Sequence, residues 1–404
     1  MSTSATAPLT GIRVLELGSY VSGPFACRLL ADFGAEVIKV ERPGVGDELR
    51  RWRLHEGDTS LLWRTLARNK KSVAIDIGAP RGRDLVLDLV AACDIVLENF
   101  RPGTLERLGL DEEQMRRRRP DVILVRVSGY GQTGPYAGRP GFGGVAEAFG
   151  GLRHLTGYPD RPPTRVGISL GDSLAGLHAA FGALAALVGR ARHGDGELVD
   201  TALYESVFNV MESLVPDYDA YGIEPERTGV SMPGVVPSGT YATSDDAWVV
   251  IGGNGDRIFP RLMDAVGRAD LATDPALAGN TGRVAREAEI EEAIADWVVK
   301  RPLKEVLSVM EQATVPIGPI YRASDILEDP HYRARDMLER RPVDTGSEHR
   351  SVAFPGVVPR LREHPGRVDW LGPGLGEHTH EVLSGILGLD ATAIADLRQS
   401  GVVA

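Results

Sequence analysis

The sequence predicts an α/β protein: a large doubly wound parallel sheet with helices between its strands, plus a small α+β domain. Three observations lead there. Short β-branched runs alternate with helical patterns across the first 215 residues, the signature of βαβ units in a parallel sheet. The first such run ends in a Gly/Ser/Pro turn, Gly18–Pro24, which opens directly into a helical pattern. Finally, a stretch broken by Pro and Gly at 216–238 separates this region from a hairpin followed by helices. A chain of 404 residues is long enough for two cores.

The elements follow in order. Residues 12–17 read as a strand, a helix follows the turn to about 33, and Val37–Glu41 is the second strand. Further strands are expected at 72–77, 94–98 and 122–127, separated by helices at about 80–92 and 111–119. The glycine-rich stretch 129–151 reads as a loop running into a helix. A long Ala/Leu helix is expected at about 173–191, then a strand at 197–200 and a helix at 201–214. This gives a large domain over 1–215 and a linker over 216–238. Residues 239–320 form the small domain, with a hairpin (240–243 and 248–251) and helices at about 256–266, 287–300 and 302–312. Residues 321–404 return to the large domain through short helices at 323–338, an irregular segment at 341–373 and two final helices at about 377–387 and 391–399.

Composition excludes some classes of function. A net charge of −11 argues against nonspecific nucleic-acid binding. The run Arg116–Arg119 precedes Pro120 and reads as the solvated end of a helix. Cys27 and Cys93 belong to no CxxC pair or metal-like cluster and read as buried free thiols of a reducing compartment. The N-terminal residues lack a basic stretch followed by an apolar core, and the most apolar run, about 174–188, is short for a membrane span. The expectation is a cytoplasmic protein with no membrane or nucleic-acid partner.

The residue most loaded with chemistry is Asp172, in the run Thr164-Arg-Val-Gly-Ile-Ser-Leu-Gly-Asp172. It follows a β-branched stretch and a glycine and precedes the long helix. A carboxylate beside a helix N-terminus should stay ionised and can attack an activated acyl group. Taken alone, the same residue is an ordinary helix N-cap. A dinucleotide site is disfavoured, because the first turn, Gly18-Ser-Tyr-Val-Ser-Gly23, lacks the second glycine of G-x-G-x-x-G and puts Tyr20 where a pyrophosphate must come close.

Several motifs in the same order resemble the class III CoA-transferases over Leu9 to about residue 390. They are Leu9-Thr-Gly-Ile-Arg-Val-Leu-Glu-Leu with Gly23-Pro24, Gly34-Ala-Glu-Val-Ile-Lys-Val-Glu-Arg-Pro43, and Arg68-Asn-Lys-Lys-Ser72. Glu98-Asn-Phe-Arg-Pro-Gly103, Gly129-Tyr-Gly-Gln-Thr-Gly-Pro135, Gly171-Asp172 and Gly252-Gly-Asn-Gly255 complete the set. The resemblance implies a Rossmann-like large domain, an interlocked homodimer, and acyl-CoA and a small carboxylic acid as substrates, with no permanently bound cofactor and no metal. It implies Asp172 as nucleophile and Gly252, Gly253 and Gly255 as a loop closing over it. CoA contacts are implied for Ser19, Tyr20, Val21 and Ser22 through their backbone, and for Arg42, Lys70, Asn99, Phe100 and Arg107.

The implied reaction passes CoA from a donor to a free acid through an aspartyl anhydride and an aspartyl-CoA thioester. Small dicarboxylates are the expected acids, with Arg139 and Arg165 as candidates to hold a second carboxylate. Two alternatives stay open. The racemases of the same superfamily carry a histidine where this chain has Phe142, and a phenyl ring cannot shuttle protons. A CoA-binding protein without turnover would have no use for Asp172.

Overall fold

The computed structural model describes residues 6–56, 59–344 and 349–404. The chain divides into two compact units. One comprises Met1–Arg153, Arg165–Pro216 and His331–Ala404, and the other His154–Thr164 and Asp217–Pro330. The short segment 154–164 therefore goes with the second unit rather than with the residues around it.

The first unit begins with β1 (Arg13–Glu16), α1 (Ser22–Asp32), β2 (Glu36–Glu41), β3 (Lys70–Ala74), α2 (Pro80–Ala91) and β4 (Ile95–Glu98). It continues with α3 (Glu112–Arg118), β5 (Ile123–Ser128), α4 (Gly143–Phe149), α5 (Leu170–His193), β6 (Leu198–Ala202) and α6 (Leu203–Phe208). The strands form one parallel sheet in the order β3-β2-β1-β4-β5-β6. Successive residues face opposite sides, and both sides are apolar. Leu15, Ile38, Val96 and Leu124 enter one core with α2 and α3, while Val14, Val37, Ile95, Leu97, Ile123 and Val125 enter the other with α1 and α5. Burial on both faces explains why these strands read as nearly unbroken apolar runs. The strand order reverses between β1 and β4, and ligands of such sheets bind beyond the carboxyl ends of the strands at that reversal.

α5 has 24 residues and, by length and composition alone, could cross a bilayer, so the expectation of too short an apolar run was low by several residues. In this fold its small residues Ala175, Ala179 and Ala183 are buried against the sheet and α1. Gly176 allows the closest approach: a Cβ there would stand 2.8 Å from Ser22 O in α1.

The second unit contains β7 (Ser238–Ala242), β8 (Trp248–Gly252), α7 (Phe259–Ala265), α8 (Glu287–Val298), α9 (Leu303–Gln312) and β9 (Ile317–Pro319). Its antiparallel sheet has the order β9-β8-β7. Val249 and Ile251 of β8 point into a core with Phe259, Leu262, Ile290, Ile294, Val306 and Met310. β9 was not anticipated, because three residues ending in proline carry no periodicity.

The chain then re-enters the first unit. β10 (Leu338–Asp344) pairs antiparallel with β11 (His349–Pro355), where an irregular segment was expected. α10 (Thr379–Gly385) and α11 (Ala391–Gln399) place Val382, Leu383, Ile394 and Leu397 in the α2–α3 core. The tail also binds at the edge of the sheet, with Asp76 N, just past β3, donating to Val402 O at 2.8 Å, and it holds the helix Leu61–Leu66, whose Trp63 Nε1 donates to Pro373 O at 2.9 Å.

Candidate active site

At the carboxyl end of the large sheet lies a cleft of about 420 Å³. Its lining includes Ser19, Tyr20 and Ser22 from the first turn and the start of α1, Asn99, Phe100 and Arg101 after β4, and Ser128 at the end of β5 with Gly129 after it. Arg139, Gly141 and Phe142 from the glycine-rich loop and Asp172 from α5 complete it. Residues spread over more than 150 positions of sequence thus meet because each lies just past a strand's carboxyl end or at the start of a helix.

A buried charge network shapes the first turn. Glu16, at the end of β1, accepts from Lys39 Nζ at 2.8 Å and Lys70 Nζ at 2.6 Å. Lys39 also donates to Gly18 O at 2.8 Å and pairs with Asp47 at 2.8 Å. Asp47 Oδ1 in turn accepts from the backbone N–H groups of Tyr20, at 3.2 Å, and Leu49, at 2.9 Å. Burial alone would raise the Glu16 carboxyl, but the two ammonium groups outweigh it and hold its pKa below the ordinary value. Tyr20 sits at φ 65°, a left-handed conformation unusual for a non-glycine residue, and its ring meets Trp52 and Phe142 at 5.3 and 6.1 Å.

This network changes the part assigned to Lys70. Its side chain is fully buried and bonded to Glu16 and Pro24 O, so it supports the turn from beneath instead of facing a ligand. Removing one partner from such a buried pair costs about 3–5 kcal/mol, so a Lys70 variant would report on folding. Asn99 lines the cleft, but its amide is taken: Oδ1 accepts from Ser19 N at 2.8 Å, and Nδ2 donates to Ser19 O at 2.7 Å and Ser22 Oγ at 3.1 Å. A Cβ on Gly18 would stand 2.8 Å from that same Oδ1, which is why glycine starts the turn. Val21 is buried with Leu49, Trp63 and Leu66. Arg42 and Arg107 are exposed and outside the cleft lining, whereas Arg101, quoted in its motif but not singled out, is part of it.

Asp172 departs from expectation in two ways. The helix starts at Leu170, with Ser169 as N-cap, so Asp172 stands inside the first turn and is not a cap. Its carboxyl is also less acidic than a helix N-terminus alone would make it. Burial first, and the neighbouring Glu147 carboxylate second, raise its pKa from 3.8 to about 6. Glu147 is a buried carboxylate in α4 that accepts from Gly171 N at 3.2 Å and faces Arg153 Nε at 3.5 Å.

The two helices approach at paired glycines. A Cβ on Gly143 would fall 2.1 Å from Asp172 Oδ2, and one on Gly171 would fall 2.9 Å from Gly143 O. Glycine at 143 is thus what gives the carboxylate its place. Glu147 escaped the sequence reading; the only signal was a lone acid in the apolar run Val145–Phe149. Gly143 was read, with Gly144, as leaving a roomier wall after Phe142, and its part in seating Asp172 shows only in the fold. Arg139 stacks on Tyr136 at 3.6 Å, and Arg165 is exposed with its Nε donating to Val166 O.

The glycines at 252, 253 and 255 belong to the second unit. Gly252 ends β8 and has room for a side chain, whereas a Cβ on Gly253 would strike Leu262 at 2.3 Å. Asp256 does not cap the next helix. It pairs with Arg283, whose buried guanidinium also donates to Val236 O, Asn254 O, Leu277 O and Ala278 O. Among the described residues no cluster of His, Cys, Asp or Glu could hold a metal ion, and no histidine lines the cleft of the first unit.

A parallel α/β sheet whose carboxyl edge holds a half-buried carboxylate, Asp172, in a cleft has the parts that acyl transfer needs. Comparison with known proteins gives the family: the chain belongs to CoA-transferase family III, which matches residues 9–379. It is a CoA-transferase, and CoA thioesters are its substrates. It is 49% identical over 399 residues to the succinyl-CoA–D-citramalate CoA-transferase of Chloroflexus aurantiacus, covering 98% of both chains. It is 40% identical over 410 residues to the alpha subunit of that organism's succinyl-CoA–L-malate CoA-transferase, covering 100% of this chain and 95% of the other. Its fold is similar to the crystal structure of a CaiB/BaiF family protein from Brucella suis, with a TM-score of 0.83, 32% identity, and 94% and 100% of the two chains covered.

Proposed function

We propose that the enzyme moves CoA from a succinyl-type donor to a small dicarboxylic acid, with Asp172 as the covalent nucleophile. One observation carries this: the only Asp in the cleft lining is a carboxylate held at a pKa of about 6. It is ionised at neutral pH yet more basic than an ordinary carboxylate. An oxygen of Asp172 attacks the thioester carbonyl, the C–S bond breaks, and CoA leaves as thiolate. In the resulting anhydride the thiolate attacks the Asp172 carbonyl, expels the donor acid as its carboxylate and leaves an aspartyl-CoA thioester. The acceptor carboxylate then attacks that thioester, and a second anhydride returns its acyl group to CoA.

The dicarboxylate assignment is supported by the names of the relatives and by Arg139, an arginine stacked in place in the cleft lining. The first turn and the C-terminal ends of β1 and β4 serve as a Rossmann-like platform for CoA, with Phe100 and Arg101 on the wall and Arg42 and Arg107 outside it for phosphate. The glycine loop at 252–255 acts as a lid in the assembled enzyme. Self-association as a homodimer, interlocked as in related enzymes, is supported by an apolar stripe on α5. Leu177, Phe181, Leu184 and Val188 recur at helical spacing and are exposed, Phe181 at 72%, and such a stripe calls for a partner. Two buried free thiols, Cys27 and Cys93, are in keeping with a cytoplasmic setting.

The test is an exchange assay with succinyl-CoA and a panel of labelled acids. Label should enter the CoA pool with dicarboxylates and far less with monocarboxylates of equal length. Exchange with monocarboxylates alone would refute the substrate class. Solvent deuterium entering the acyl chain without exchange would move the reading to racemisation.

A further inference from the structure

We propose that Glu147 is a positioning residue for the nucleophile: its buried carboxylate anchors the first turn of α5 and, as a like charge behind Asp172, favours the acylated form of Asp172 over the free anion. The inference rests on the covalent-transferase reading above. Glu147 lies outside the cleft lining, so it acts through Asp172 and not on a substrate.

Two contacts on one face of α4 fix the placement. Gly143 and Glu147 are four residues apart and therefore stack on the same side of the helix. Gly143 meets the Asp172 carboxylate, since a Cβ on it would fall 2.1 Å from Asp172 Oδ2. One turn further, Glu147 meets the residue before Asp172. Its Oε1 accepts from Gly171 N at 3.2 Å, and a Cβ on Gly171 would stand 3.2 Å from Glu147 Cγ. Gly171 is the second residue of α5, so its N–H has no acceptor within the helix and needs one from outside.

An amide would serve that N–H equally well, so the hydrogen bond does not explain the charge. Glu147 is 1% exposed, its Oε2 has no hydrogen-bond partner among the described residues, and Arg153 Nε faces it from 3.5 Å. A second carboxylate buried beside the first disfavours the anion. The other charged groups on elements packed against α5 are engaged elsewhere. Arg28 and Asp32 of α1 face each other, Arg126 of β5 pairs with Glu98 and Glu106, Asp200 of β6 accepts from Gln132 N, and Tyr204 of α6 donates to Glu205. His178, six residues along α5 from Asp172, lies about 120° round the helix.

The charge balance of the reaction shows what the like charge does. An Asp172 oxygen bonds to the acyl carbon and the C–S bond breaks. The thiolate then bonds to the Asp172 carbonyl carbon, and the donor acid leaves as a carboxylate carrying that oxygen. Asp172 starts as an anion and ends as an uncharged thioester. Acylation therefore relieves the repulsion from Glu147 just as protonation does, and one interaction biases both equilibria in the same direction. Burial is the first cause of the rise in the Asp172 pKa from 3.8 to about 6, and Glu147 the second. The share of Glu147 is then at most about one pH unit, or about tenfold.

The test compares the wild type with Glu147→Gln and Glu147→Met. The readouts are kcat, the acid limb of kcat/KM, the melting midpoint, and the fraction of enzyme carried as aspartyl-CoA, read by intact mass over a series of succinyl-CoA to succinate ratios. Both variants should move the acid limb down by about 0.5–1 pH unit and need an about three- to tenfold higher ratio for half acylation. Gln keeps an acceptor for Gly171 and should retain more of kcat than Met. Both variants remove the charge, so either one decides the matter if its melting midpoint matches the wild type. Lower activity with the acid limb and the half-acylation ratio unchanged would make Glu147 a structural residue and overturn the proposal. If the wild type forms no aspartyl-CoA at any ratio, the covalent reading falls and this one with it. An adduct with the same half-acylation ratio in the wild type and Glu147→Gln defeats this proposal alone.

Discussion

Replacing Asp172 with Asn should abolish transfer and, at neutral pH, make the protein more stable. In the folded protein the carboxyl has a pKa of about 6, against 3.8 ordinarily. A carboxyl whose folded pKa is raised binds its proton more tightly in the folded state. Stability is therefore lost as pH climbs from about 4 through 6, and the penalty is complete above that. A gap of about 2 pH units corresponds to about 3 kcal/mol at roughly 1.4 kcal/mol per unit. Because the carboxylate is partly exposed, solvent screening trims this to about 1–3 kcal/mol. Asn keeps the shape and removes the charge. Urea unfolding at pH 7.5 should then show the variant more stable by that amount, and at pH 5 the advantage should fall to about half. A variant less stable than wild type at both pH values would show that Asp172 is a structural residue and refute the reasoning.

Three other outcomes follow from the same geometry. The acid limb of kcat/KM should have its midpoint near pH 6, the Asp172 value, since only the ionised form attacks; a limb near pH 4 would contradict the raised pKa. Gly143→Ala places a methyl 2.1 Å from Asp172 Oδ2 and should lower kcat by about 10²-fold with little change in acyl-CoA binding measured by calorimetry; full activity would show that the carboxylate is free to move. Phe181→Glu puts a charge into the exposed stripe of α5 and should weaken the proposed self-association, read as a fall in mass by light scattering; a wild type of dimer mass with an unchanged variant would contradict an interface on this stripe.

Much of the large sheet was legible because its strands are buried on both faces and read as short apolar runs such as Val14-Leu15 and Ile95-Val96-Leu97. What escaped depended on partners distant in sequence. Lys70 looked like a ligand-binding cation, but Glu16, 54 residues earlier, draws it into the interior. The β10–β11 hairpin was hidden because Arg340, Arg341 and Pro342 give a strand no apolar rhythm. The helix expected at 201–214 stops at Phe208 and resumes at Leu214, and no breaker residue announces the gap. Asp172 was found from its Gly-Asp turn, but its raised pKa was not. A helix N-terminus alone argues for a lowered value; burial, and then Glu147 from another helix, oppose it, and both arise only in the fold.

The central claim is that CoA chemistry passes through a covalent bond to Asp172. The most direct measurement is to incubate the protein with succinyl-CoA, add hydroxylamine, and map the product by peptide mass spectrometry. A hydroxamate should appear on the peptide containing Asp172 and be missing in Asp172→Ala. Exchange activity without a hydroxamate at Asp172, or with one at another carboxylate, would contradict it.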